Sequence, residues 1–177
     1  MQVLTITFNV HHKKNIINPE LKKSLIDVLS LLHSCLDQKL WKCAHLLKNK
    51  KINLKVQDAR DYHAVSSLLE EIDPQIIIQL SAVSHANRSN KDPYSTFDHS
   101  FHTLENALDC ARSSSSNVEQ FIFFSSSMVY GNFKGDQAHE EDHCEPMGIY
   151  GALKYGAEKI VIAYNQVFDL PYTIIRP

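Results

Sequence analysis

Apolar positions recur along this chain in two periods, and the alternation between the periods outlines its architecture. Leu4, Ile6, Phe8 and Val10 alternate with Thr5, Thr7 and Asn9, the pattern of a half-buried strand. After the polar connector His11 to Asn18, Asn18-Pro19 opens a helix carrying Leu21, Leu25, Val28, Leu29 and Leu32 on one stripe. A short helix comes next from Gln38 to Leu47, capped by Asp37, with Trp41 as a packing residue. Ile52, Leu54 and Val56 alternate again as a strand, which ends in Asp58-Ala59-Arg60-Asp61. The next helix, capped by Asp61, runs to Ile72 and is broken by Asp73-Pro74. Gln75 to Leu80 is a near-continuous apolar run, as a central parallel strand requires.

Beyond it the pattern predicts a polar loop from Ser81 to Pro93, a helix from Tyr94 to Ala111 and a linker from Ser113 to Asn117. Phe121 to Phe124 then reads as a buried strand. An acidic, proline-containing loop leads to a helix from the YGALK segment to about Phe168, and Tyr172 to Arg176 forms a last strand. Strands alternating with helices from residue 52 onward predict the α/β class, with a doubly wound parallel sheet. The strands at 52–56, 75–80, 121–124 and 172–176 are expected in one sheet.

Composition changes this picture little. The chain has 177 residues, one domain's worth, with 44% hydrophobic and 21% charged positions. A net charge of −2 gives no electrostatic ground for nucleic acid or an anionic membrane as partner. No apolar run approaches the ~18 residues of a membrane span, and the N-terminus has no signal-peptide pattern. Cys35, Cys43, Cys110 and Cys144 form no CxxC and read as reduced thiols of a cytoplasmic protein. Glycine is the informative count: there are five, and none precedes Gly131.

The candidate chemistry lies between Phe121 and Lys154. Three serines end the FIFF strand, and Tyr150 and Lys154 stand four apart, on one face of a helix. A phenol with a pKa near ~10 is a poor base at neutral pH, and a nearby ammonium would lower that pKa. Lys154 is placed to do this for Tyr150, and a serine hydroxyl at a strand's carboxyl end can hold the same substrate oxygen. A Tyr–Lys pair at this spacing also arises by chance in many helices. His139, His143 and Cys144 sit among Glu140, Glu141 and Asp142, but without closed metal-ligand spacing, so the segment reads as a solvated loop and no metal site is assigned.

The run FIFFSSSMVYG…EPMGIYGALKYGAEKIV…LPYTIIRP resembles the NAD-dependent epimerase/dehydratase family, the extended short-chain dehydrogenases/reductases. Alignment on Val129-Tyr130-Gly131 implies Ser126 as the catalytic hydroxyl, ahead of its neighbours Ser125 and Ser127, with Tyr150 and Lys154 as the family's Tyr and Lys. The resemblance implies that Tyr150 removes a sugar hydroxyl proton while Lys154 tunes it and holds the nicotinamide ribose. It extends upstream to about Ile52. There the family's D-x-x-D element falls on Asp58 and Asp61, implying that Asp58, with the backbone at Ala59, contacts adenine. Gln79-Leu80-Ser81-Ala82 matches the strand end beside the cofactor, so Leu80, Ser81, Ala82 and then Ser84 are implied lining residues. His99 stands where the family has a cofactor-contacting Asn or Thr.

The resemblance implies a Rossmann-like domain over 51–177 with NAD as cofactor, NADP remaining open, and a nucleotide sugar as substrate. A homodimer is compatible with this reading. Residues 1–50 form a divergent segment without the G-x-x-G-x-x-G turn that cradles a pyrophosphate, and the C-terminal substrate domain is expected to be lacking. The implied function is nucleotide-sugar epimerisation or dehydration, with NAD bound weakly by this chain. The alternatives are a reductase of the same family and a catalytically inactive binding or structural relative.

Overall fold

In a computed structural model the described residues are 3–8, 52–83, 86–113, 116–133, 135 and 137–177. The two helices expected between residues 18 and 47 lie outside them. The chain divides into two compact units, Leu4–Lys55 and the remainder, Met1–Val3 with Val56–Pro177. Strands β1 (Val3–Phe8) and β2 (Ile52–Gln57) pair with one another in a two-stranded sheet.

The larger unit is built on a three-stranded sheet in the order β3 (Ile76–Gln79), β4 (Gln120–Phe124), β5 (Tyr172–Ile175). Both pairings are parallel, with Ile78 opposite Ile122 and Ile122 opposite Thr173. The α/β class and the parallel sheet are as expected from sequence, but the four-strand sheet is not. Among the described residues β2 pairs with β1, not with β3. Its alternating pattern specifies a half-buried strand without naming its neighbour, so strand type was legible and sheet membership was not.

Helix α1 (Tyr62–Ile72) starts where Asp61 accepts from the Ala64 amide at 3.1 Å, the expected cap. The expected polar loop after β3 contains a short helix, α2 (Ala86–Lys91). Its sequence ANRSNK has no apolar stripe, which is why periodicity missed it. The single helix expected from Tyr94 to Ala111 is α3 (Pro93–Phe97), a π-turn (Asp98–His102) and α4 (Thr103–Ala111). Helix α5 (Gly148–Phe168) connects β4 to β5.

The core lies where α4 and α5 cover one face of the sheet. Leu104, Leu108 and Ala111 of α4 and Ala157 and Val161 of α5 meet Phe121 and Phe123, which alternate with Ile122 and therefore share that face. Burying such a side chain is worth about 1.5–3 kcal/mol. The buried stripe of α5 is Gly151, Lys154, Ala157, Glu158 and Val161. Two ionisable residues thus sit on a core-facing stripe, and both need partners inside the fold.

Candidate active site at the end of β4

Parallel strands deliver their carboxyl ends to one side, and the chain turns there after β4. Ser125 and Ser127 donate their amides to the carbonyls of Ile175 and Pro177, at 2.8 and 2.9 Å, so the segment after β5 continues to hold the segment after β4. Ser126 is extended and caps a 3-10 turn, Ser127–Tyr130, with its Oγ accepting from the Met128 amide at 3.2 Å. Gly131 closes the turn at φ +71, where a Cβ would lie 2.1 Å from the Glu145 carbonyl oxygen. A glycine is required there both for its backbone conformation and for the approach of the following loop.

Helix α5 brings the other two residues. At Gly151 a Cβ would stand 2.8 Å from the Met128 carbonyl oxygen, so the missing side chain lets the helix rest on the 3-10 turn. Asn90 of α2 caps this helix, its Oδ1 accepting from the Ile149 amide at 3.2 Å. The Ser126 hydroxyl stands near enough to the Tyr150 phenol to act on its titration. Burial pushes the Tyr150 phenol above its ordinary value, and the nearby Ser126 hydroxyl works against that shift. Ser125 turns the other way, donating its hydroxyl to Glu158 at 2.5 Å.

Lys154 is 6% exposed, with its Nζ donating to the Phe124 carbonyl at 2.6 Å and lying over the Phe123 ring. Burial lowers its pKa to about 8, with the Glu158 charge acting in the opposite direction. Three N–H donors and one carbonyl acceptor among the described residues leave two donors for a ligand. The Lys154 amine is engaged with the Phe124 carbonyl, apart from its expected action on Tyr150. Desolvation and Ser126 set the phenol's shift, while the ammonium is directed at the strand end.

The remaining sequence candidates fall on a separate network. Arg60 donates to Asp58 through its backbone N–H, Nε and Nη2, at 3.0, 3.1 and 2.7 Å, and through Nη1 to Asp98 at 2.7 Å. These bonds hold the partly exposed Asp58 carboxyl down to a pKa of about 2. The Ala59 carbonyl accepts from Asn106 Nδ2 at 2.9 Å. His99 is tied to its own helix through the Ser95 carbonyl, 2.7 Å away, within the π-turn. The Ser81 carbonyl accepts from the Thr103 hydroxyl at 3.4 Å; Leu80 is exposed and Ala82 half-buried. Ser84 lies outside the described residues. Around His139 and Cys144 the contacts are local, to Asp142, and among the described residues no His/Cys/Asp/Glu group is assembled for a metal ion.

Sequence reasoning missed Glu158. It is 1% exposed and paired with Arg176, whose Nε and Nη2 donate to its two carboxylate oxygens at 2.9 and 2.8 Å. Arg176 Nη1 also donates to the Tyr130 hydroxyl at 2.9 Å and to the Glu140 carbonyl at 3.0 Å, tying the loop after Gly131 to the end of β5. The signal for Glu158 was present in the sequence: it comes after Tyr150 and Lys154 at the same four-residue interval.

A family model described as GDP-mannose 4,6 dehydratase matches residues 19–177. The chain belongs to that family. It therefore falls in the NAD-dependent epimerase/dehydratase family of the extended short-chain type, over part of that family's length. The match begins at Pro19, upstream of Ile52, where the motif resemblance ends. An uncharacterized UDP-glucose epimerase of Bacillus subtilis is 32% identical over 115 residues, 63% of this chain and 34% of the relative. A low-salt glycan biosynthesis protein of Haloferax volcanii is 33% identical over 122 residues, 67% of this chain and 37% of the relative. The chain spans about a third of the length of these relatives.

Among solved structures, the Thermus thermophilus UDP-glucose 4-epimerase complexed with NAD aligns with a TM-score of 0.63 and 26% identity, over 68% of this chain and 39% of that one. The Bacillus cereus UDP-glucuronic acid 4-epimerase aligns with a TM-score of 0.68 and 24% identity, over 76% and 41%, a likeness in fold. The family's Rossmann fold is thus present over this part of the chain. No helix of the described residues is long and apolar enough to cross a membrane.

Proposed function

We propose that this chain carries the Ser126–Tyr150–Lys154 site of an NAD-dependent nucleotide-sugar epimerase or dehydratase. The observation that supports it most is the seating of α5 on the Ser126 turn through Gly151, which brings Tyr150 beside Ser126 at the end of β4, with the buried Lys154 amine on the Phe124 carbonyl one helical turn further on. The donor set fits the nicotinamide-ribose side of NAD, since two N–H donors of Lys154 are left for ribose hydroxyls. On the adenine side, Arg60 uses three of the roughly four acceptor sites of the Asp58 carboxylate, leaving one for an exocyclic amine. When bound, NAD supplies the acceptor and donor of hydride.

The protein's own part is proton transfer and positioning. Ser126 holds the substrate oxygen and Tyr150 exchanges a proton with it. With its pKa raised, the Tyr150 phenol is protonated at neutral pH, and in this arrangement it donates to a carbonyl oxygen. Taking a proton from a sugar hydroxyl requires the Lys154 ammonium to act on the phenol, and so to leave the Phe124 carbonyl. The protonated phenol also favours a second reading, a reductase of the same family, in which Tyr150 protonates a ketone.

NAD is expected to bind weakly. Its pyrophosphate calls for an N–H cradle that backbone without Cβ atoms allows, and residues 1–130 contain no glycine. The test is turnover of UDP-sugars by the purified chain, with NAD and with NADP, beside its Tyr150→Phe variant. Little or no turnover with millimolar NAD affinity is the expected result. Micromolar affinity, or turnover lost in Tyr150→Phe, would mean that the pyrophosphate is held by other means and that the expectation of weakness is wrong.

A further inference from the structure

We propose that Glu158 is a positioning residue for this site, a carboxylate that locks the ends of β4 and β5 together behind Lys154 and serves as its countercharge. The inference rests on the Ser126–Tyr150–Lys154 reading above. Tyr150, Lys154 and Glu158 succeed one another at four-residue intervals and so line one face of α5. Glu158 is buried and charged, an arrangement that survives only with charge-assisted partners. It has three bonds from two directions: the Ser125 hydroxyl at the end of β4, and the Nε and Nη2 of Arg176 just after β5.

Those contacts fix the residues on both sides of the site. Ser125 is next to Ser126, and its bond to Glu158 turns it inward, leaving the Ser126 hydroxyl to face Tyr150. Phe124, the acceptor of the Lys154 amine, immediately precedes Ser125. Arg176 carries the restraint on to Tyr130 and the Glu140 carbonyl. The Lys154 amine therefore has the Phe124 carbonyl and the Phe123 ring from β4 about it, and from its own helix the Glu158 charge. Arg176 stands behind Glu158. Glu158 is the anion in this set, and its charge offsets part of the burial that acts against the ammonium.

A purely structural clamp would hold the two strand ends without affecting how Lys154 titrates. The experiment is to track the Cε resonance of isotopically labelled Lys154 against pH in the wild-type chain and in Glu158→Gln and Ser125→Ala, with no cofactor present. Glu158→Gln removes the charge and keeps an oxygen acceptor, and the Lys154 midpoint is expected to fall below the wild-type value of about 8. Ser125→Ala takes a donor from the carboxylate, leaves more of its charge to act on Lys154, and is expected to raise the midpoint. It also serves if Glu158→Gln fails to fold. Midpoints unmoved in the folded variants, or moved in the opposite directions, overturn the proposal. Because the titration needs no NAD and no turnover, failure of the cofactor reading leaves this result standing, and failure here leaves NAD binding untouched.

Discussion

Replacing Gly151 with alanine tests the contact that seats α5 on the Ser126 turn. A Cβ at this position would lie 2.8 Å from the Met128 carbonyl oxygen and 3.3 Å from Pro146 Cβ. The first neighbour is main chain, fixed by the Gly131 amide that donates to it, so relief must come from moving the helix or the turn. Such overpacking costs about 1–3 kcal/mol, and a fixed backbone neighbour places the cost in the upper part of that range. Alanine recovers about 1 kcal/mol over glycine as a helix former. The net is a loss of about 1–2 kcal/mol, a fall in melting temperature of roughly 2–8 °C for a chain of this size. Gly156→Ala is the internal control. It gains the same propensity, and its Cβ would meet only the tip of the Phe101 ring, at 3.3 Å, so it is expected to melt at or above the wild type. Thermal unfolding by circular dichroism measures both. A Gly151→Ala variant as stable as Gly156→Ala would refute the claim that close packing at Met128 positions the helix.

The same geometry sets three further outcomes. Ser126→Ala removes the hydroxyl that opposes the raised pKa of Tyr150, so the phenol should titrate higher still, read as the alkaline absorbance difference against Tyr150→Phe. Asn90→Ala leaves the Ile149 amide without its cap and should cost about 1 kcal/mol in denaturant unfolding, with no loss if the cap is not formed in solution. Lys154, depressed from 10.5 to about 8 in the folded chain, binds its proton more weakly there than when unfolded. Its charging therefore opposes folding in full below about pH 8, and the opposition is lifted as pH rises from there toward 10.5. Lys154→Met should stabilise the chain at neutral pH by on the order of 3 kcal/mol and remove that rise; a variant less stable at pH 7 would contradict it.

What could be read from sequence divides along physical lines. Strands β3, β4 and β5 announced themselves as short apolar runs between helical stretches, and their burial against α4 and α5 is a consequence of that pattern. Asp61 was legible as a cap because capping is local. The Asn90 cap on α5 was not, because it joins residues 59 apart. Helix α2 lacks an apolar stripe, and the π-turn at Asp98–His102 is fixed by long-range bonds such as Arg60 to Asp98. At the site, the Tyr–Lys interval was readable as a shared helix face. The direction of Lys154 was not, since it depends on where the Phe124 carbonyl arrives. Glu158 was readable in principle, because a charge at a third successive four-residue step on a core-facing stripe must find a buried partner.

The most direct test of the central claim is calorimetric titration of NAD into the wild-type chain, Tyr150→Phe and Lys154→Met, with folding of each checked by thermal melting. The account predicts saturable binding in the millimolar range for the wild type, and clear weakening in both variants with the larger loss in Lys154→Met, which gives up both of its spare donors. Absence of binding to the wild type at millimolar NAD, or equal affinity in all three folded chains, would contradict it.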